Sequence, residues 1–117
     1  MKKIISLLVC ILLLTACDEK GYETIDSNVA MTLIEQNAVV IDVRSSDEYA
    51  TGHIEGSINI PVDNISNIDY TKETLIIVYC ASGMRSATAA ETLADLGYTK
   101  VHNLDGGLIN WGFDLVK

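Results

Sequence analysis

Thr74-Leu75-Ile76-Ile77-Val78-Tyr79-Cys80-Ala81-Ser82-Gly83-Met84-Arg85-Ser86 is the stretch on which the fold of this chain turns. Residues 74–79 run apolar through both side-chain phases, which predicts a strand covered on its two faces, as in the middle of a parallel sheet. From Arg85 the pattern changes period. Ala87, Ala90, Leu93, Ala94 and Leu96 recur at helical spacing, with Gly97 as a stop. A buried strand feeding a helix through a short glycine-containing loop is the building unit of an α/β domain. In an open α/β sheet, ligands bind at the carboxyl end of central strands. Cys80 stands at that end.

The flanking sequence repeats the alternation. Residues 22–25 predict a short strand, followed by a helix to Gln36, capped by Asp26 or Ser27, with Val29, Ala30, Leu33 and Ile34 on its apolar face. Residues 38–41 form a four-residue apolar run, again fitting a buried parallel strand. Ser46 caps a brief helix that Gly52 ends. Residues 57–60 predict a second short strand, stopped by Pro61, the one proline. Residues 62–73 are polar and loop-like, anchored by Ile65 and Ile68. Residues 101–104 make a last strand, and Gly106-Gly107 turn the chain into a short helix containing Trp111. The expectation is one α/β domain with a mostly parallel sheet, without repeats or low-complexity segments.

The loop after Tyr79 carries the chemistry. The helix that follows directs its unpaired N–H groups and positive dipole end back at the loop. Gly83 lets the chain curl, and a curled run of amides makes a nest for an anion. Arg85 adds a positive charge. Each feature favours a thiolate at Cys80 over a thiol. A drop of about 2 units from the ordinary cysteine value corresponds to about 2.7 kcal/mol and makes the thiolate the majority form at neutral pH. The alternative for a lone thiol is a buried, inert cysteine. The spacing then separates chemistries. Cysteine phosphatases place five residues between nucleophile and arginine, a frame for tetrahedral phosphate. Here four separate Cys80 from Arg85. The tighter loop fits a sulfur atom carried on Cys80 better than a phosphate above it.

The amino-terminal sequence reads as an export signal. Met1-Lys2-Lys3 precedes a 13-residue, mostly apolar run, residues 4–16, then Cys17. The run is short against the roughly 20 residues of a membrane-crossing helix. Leu14-Thr15-Ala16-Cys17 resembles the lipobox of bacterial lipoproteins. That resemblance implies cleavage before Cys17, acylation of Cys17, and a domain lipid-anchored to the cell membrane, facing the periplasm or exterior. More than one acyl chain gives stable anchoring. Cys10 reads as a buried residue of the signal. The expected organisation is a signal peptide over 1–16, the lipidated cysteine and a short tether over 17–21, and the folded domain over 22–117.

The 117-residue chain carries 8 Lys+Arg against 16 Asp+Glu, a net charge of −8 with histidine neutral. Loss of Lys2 and Lys3 with the signal takes the mature part to about −10. Such a surface is repelled by nucleic acid, which argues against DNA or RNA as partner, and slows anionic substrates. No cysteine–histidine cluster has metal-ligand spacing. With Cys17 acylated, Cys80 has no internal partner and is an unpaired thiol in an exported protein.

Three blocks together resemble the rhodanese family of sulfurtransferases. Ile41-Asp42-Val43-Arg44, Glu48-Tyr49 and residues 52–61 (Gly52-His53-Ile54-Glu55-Gly56-Ser57-Ile58-Asn59-Ile60-Pro61) look like its first signature. The Cys80 loop is the second, and Leu104-Asp105-Gly106-Gly107 with Trp111 looks like its C-terminal one. The likeness covers roughly residues 22–115. It implies a three-layer domain without a cofactor. It also implies a reaction: Cys80 takes the outer sulfur of thiosulfate or a similar anionic donor as a persulfide, then passes it to cyanide, a thiol or a protein acceptor. Carried over by position, Cys80 is the nucleophile, and Ala81, Ser82, Gly83, Met84 and Arg85 form the amide cradle, with Arg85 also holding the donor's anionic group. Asp42, Arg44 and Ser86 are supporting positions. Glu55 and Ser57 depart from the proline and alanine common in the family, and the loop side chains differ from those of the best-known thiosulfate enzymes.

Other readings of the same residues stand beside this one. Asp42 and Arg44 read as a structural pair tying loops together, since a buried charge needs a partner. His53 reads as a hydrogen-bonded structural histidine, because an already ionised thiol needs no general base. His102 reads as a surface residue and Trp111 as core. As functions, a cysteine phosphatase or arsenate reductase on a related fold, and a redox-sensing or partner-binding lipoprotein with Cys80 as its oxidation target, are the alternatives.

Overall fold

The computed structural model describes residues 20–117. The expected signal peptide over 1–16, Cys10, the lipidated Cys17 and the first tether residues lie outside the described residues. The elements run in the order β1 (Glu23–Ile25), α1 (Ser27–Glu35), β2 (Val39–Asp42), α2 (Ser46–Ala50), β3 (Ile58–Asn59), a 3-10 helix (Val62–Asn67), β4 (Ile76–Tyr79), α3 (Met84–Asp95), β5 (Val101–Leu104) and a second 3-10 helix (Gly107–Asn110). The five strands form one sheet in the order β1-β5-β4-β2-β3, and every pair is parallel. The expectation of a mostly parallel sheet is met and sharpened. An isolated antiparallel bridge, His53 to Val116, lies outside the named strands.

β4 takes the central place because all four of its side chains are apolar or aromatic and buried. Its alternation divides the core into two halves. Ile76 and Val78 face Ala89, Ala90 and Leu93 of α3, together with Ile65 of the first 3-10 helix. Ile77 and Tyr79 face Ala30 of α1, Ile25, Val40 and Leu104. Each fully buried side chain of this size stabilises the fold by about 1.5–3 kcal/mol. The Tyr79 hydroxyl keeps its hydrogen bonds inside the core. It accepts from the Ile54 amide at 3.1 Å and lies 3.0 Å from Ser57 Oγ.

Several local expectations are corrected. α1 buries Ala30, with Leu33 and Ile34 partly covered, while Val29 is exposed. A stripe running 30, 33, 34 turns position 29 away from the sheet. α3 buries Ser86, Ala89, Ala90 and Leu93, an i, i+3, i+4, i+7 set, rather than Ala87 and Leu96. That stripe starts on a serine, so an apolar pattern misses its first member. α2 is capped by Ser45, not Ser46. The Ser45 side chain accepts from the Glu48 amide while Glu48 bonds back to the Ser45 backbone. Part of the 62–73 segment is helical. Trp111 ends the last 3-10 helix instead of lying inside it. His102 is buried, with Nδ1 3.3 Å from the Ile76 carbonyl oxygen. β5 lies between β1 and β4, so it has no open edge.

The chain after β5 closes back onto the end of β4. Gly106 and Gly107 both have left-handed backbone, at φ 70° and 56°. They let the Leu108 amide donate to the Cys80 carbonyl at 3.0 Å and the Ile109 amide to the Ala81 carbonyl at 3.1 Å. A Cβ on Gly107 would collide with the Cys80 carbonyl oxygen and lie 2.8 Å from both C and O of Ala81. Gly107→Ala is therefore expected to destabilise the domain by about 2–4 kcal/mol through backbone strain and displacement of the loop. An unchanged urea midpoint would contradict this close approach.

Candidate active site

Cys80 lies immediately beyond β4, and its side chain is 1 % exposed. Gly83 adopts left-handed backbone at φ 100°, serving as the N-cap of α3 without a side-chain cap. The curl turns the loop's amides onto the sulfur. The Gly83 amide donates to Cys80 Sγ at 3.1 Å and the Ser86 amide at 3.4 Å, and Ser86 Oγ lies 3.4 Å from the same atom. Burial pushes the Cys80 thiol up. The Ser86 hydroxyl and amide, then the amides of Gly83 and Ser82, outweigh it and hold the thiol below the ordinary cysteine value. The arrangement favours a thiolate at this position by hydrogen bonding to the charged form.

Two loop anchors keep that curl in place. Asn103 Nδ2 donates to the Gly83 carbonyl at 3.4 Å. On the other side, Leu108 and Ile109 hold the carbonyls of Cys80 and Ala81 as described above. Ala81 and Gly83 are partly buried, whereas Ser82 and Met84 are exposed.

Arg85 differs from its expected state. Its Nη1 donates to Glu48 Oε1 at 2.7 Å and its Nη2 to Glu48 Oε2 at 3.0 Å. The free cation expected from the sequence is half of a two-point ion pair. Arg85, then the Ser45 amide, hold the Glu48 carboxyl down at about 2, and the same carboxylate raises Arg85. Glu48 thus caps α2 and fixes Arg85 at once.

Asp42 and Arg44 form a second pair, away from the sulfur. Arg44 Nη2 donates to Asp42 Oδ2 at 2.8 Å and to the Gly52 carbonyl at 2.7 Å, and the Arg44 amide donates to Asp42 Oδ1. Asp42 is fully buried at the end of β2. The pair ties β2 to the turn at Gly52, which matches the structural reading of these residues. His53 behaves alike. Its Nδ1 is 2.9 Å from the Tyr49 carbonyl, and its ring stacks on Tyr49 at 3.7 Å. Of the positions singled out from the sequence, Ser82, Gly83 and Ser86 converge on the Cys80 sulfur. Asp42, Arg44 and His53 do not.

Glu48, Asn103 and the Leu108–Ile109 amides were not assigned to the site from the sequence. The Ser45-x-x-Glu48 capping box was a readable signal for Glu48, though not for its partner. Nothing local marks Asn103 or the two amides. Among the described residues, no group of three or more His, Cys, Asp or Glu side chains is placed to hold a metal ion.

Comparison with known proteins agrees with this geometry. Residues 27–113 match the rhodanese-like domain family. The chain is 37 % identical over 94 residues to the thiosulfate sulfurtransferase GlpE of Pseudomonas fluorescens, covering 77 % of this chain and 84 % of that protein. It is 31 % identical over 104 residues to thiosulfate sulfurtransferase 18 of Arabidopsis thaliana, covering 75 % and 76 %. The crystal structure of a rhodanese-like domain protein from Staphylococcus aureus superposes with a TM-score of 0.71 at 31 % identity, covering 80 % of this chain and 96 % of that one. The fold, the loop and these relatives agree: the chain belongs to the rhodanese-like domain family and is an enzyme of the rhodanese sulfurtransferase type.

Proposed function

We propose that the chain transfers sulfane sulfur through a persulfide on Cys80. The observation that carries this reading is the thiol beneath the Gly83 and Ser86 amides, with its pKa lowered. The Cys80 thiolate attacks the outer sulfur of thiosulfate or a similar donor. The donor's S–S bond breaks, and the leaving group (sulfite, for thiosulfate) departs with the bonding pair. Cyanide, a thiol or a protein thiolate then attacks the outer sulfur of the persulfide and releases the Cys80 thiolate. Both steps balance without an external oxidant. Splitting the transfer in two lets one nucleophile serve donor and acceptor in turn.

In this reading the amides of Ser82, Gly83 and Ser86 stabilise the negative sulfur, and Ser86 supplies a hydroxyl to the inner one. Arg85 is a positioning residue held by Glu48. The four-residue frame between Cys80 and Arg85 supports sulfur carriage over phosphate chemistry. Export and anchoring belong to the same proposal and rest on sequence alone: a signal over 1–16, acylation at Cys17, a tether over 17–21 and a lipid-anchored domain over 22–117 that faces the periplasm or exterior.

Two measurements test the site. Incubated with a panel of sulfane-sulfur donors, the wild-type domain gains the mass of one sulfur atom and Cys80→Ala gains none; a wild type that stays unmodified with every donor overturns the proposal. Ser86→Ala removes the largest stabiliser of the thiolate, so the Cys80 pKa rises. The pH at which loading reaches half its maximum moves up, and the loss of rate is greatest on the acid side. A pH profile that does not move would remove Ser86 from the site.

A further inference from the structure

The surroundings of Cys80 describe the donor by what they withhold. No side chain from Ala81 to Met84 is charged. The nearby cation, Arg85, spends both terminal nitrogens on Glu48, at 2.7 and 3.0 Å. Gly106 packs so closely that its nitrogen would lie 3.2 Å from a Cβ on Gly83, and the residue before it, Asp105, is exposed and acidic. The whole chain is at −8. A dianion approaching the sulfur thus meets an unfavourable field, and the cation of the loop itself is already paired with a carboxylate.

Two large apolar residues are exposed on the loop and on the segment bonded to it. Met84 is 78 % exposed and Ile109 is 75 % exposed, the two most exposed large apolar side chains among the described residues. Met84 directly follows Gly83, whose amide touches Sγ. The amide of Ile109 bonds the carbonyl of Ala81, on the other flank of the loop. Two large exposed apolar residues, one on the Cys80 loop and one on the segment that bonds its backbone, offer an apolar surface for the donor's body.

Resting on the sulfurtransferase reading above, we propose that the preferred donor carries its sulfane sulfur on an apolar body with at most one negative charge. Met84 and Ile109 are the residues that select it. The chemistry is unchanged. For an organic thiosulfonate, the Cys80 thiolate takes the outer sulfur, the S–S bond breaks, and the sulfinate leaves with the electron pair. One negative charge on each side before the transfer leaves one on each product.

The test is a donor series with cyanide as acceptor: thiosulfate, methanethiosulfonate and benzenethiosulfonate. Each kcat/KM is divided by the rate of the same donor with free cysteine, which removes intrinsic reactivity. Benzenethiosulfonate is expected to exceed methanethiosulfonate by about tenfold, the effect of covering roughly 50 Å² of apolar surface. Thiosulfate is expected to rank last. Met84→Lys and Ile109→Lys should each shift the ratio toward thiosulfate by about three- to tenfold at low salt, with the shift shrinking as salt rises. Thiosulfate ranking first in the wild type, or a ratio unmoved by both lysine substitutions, overturns the donor assignment while leaving the sulfurtransferase reading standing. Failure of all three donors to load Cys80 overturns that reading instead.

Discussion

Curling the backbone around one sulfur atom is the constraint on which the rest of this structure depends. A thiol that is almost wholly covered pays for desolvation of its charged form, so hydrogen bonds must outweigh burial if it is to ionise. Here they come from the Ser86 hydroxyl and from amides of Ser82, Gly83 and Ser86. Those amides point inward because Gly83 takes left-handed backbone where β4 passes into α3. The central position of β4 supplies rigidity beneath, and α3 packs on it through the small residues Ser86, Ala89 and Ala90, which allow a close approach.

The curl is held from outside as well. Asn103, Leu108 and Ile109 bond the carbonyls of Gly83, Cys80 and Ala81 in turn. All three come from β5 and the turn after it. The paired glycines at 106 and 107 are what bring that turn near enough, since a Cβ at 107 would strike the loop backbone. The C-terminal block is therefore a physical part of the site, although it sends no side chain to the sulfur.

Electrostatics around the loop are local rather than global. The acidic chain sets up a field against anions, yet the immediate surroundings of the thiol are amide dipoles. Arg85 is paired with Glu48 through both terminal nitrogens. Asp42 and Arg44 make a separate buried pair that binds β2 to the Gly52 turn. Of the two Arg–carboxylate pairs, only Arg85–Glu48 includes a residue of the loop, and a buried or half-buried pair of this kind matters most when one partner is removed.

Where a single segment contains its own physical reason, the sequence was enough. The buried run before Cys80, the alternating elements, the glycine curl and the four-residue spacing to Arg85 could all be read, because periodicity and turn chemistry are local properties. Cap positions slipped by one residue where serines adjoin at 45 and 46. The buried face of α1 runs through positions 30, 33 and 34 and leaves Val29 outside, and that of α3 begins on a polar residue, Ser86, which an apolar pattern does not mark. His102 read as surface because a polar side chain on a strand gives no sign that the strand has neighbours on both sides. The pairing of Arg85 with Glu48, the support of the loop by Asn103, Leu108 and Ile109, and the exposure of Met84 and Ile109 were decided only by tertiary structure. Each joins residues far apart in the chain, and no local pattern encodes which distant group a side chain or amide will meet once the sheet has ordered its strands.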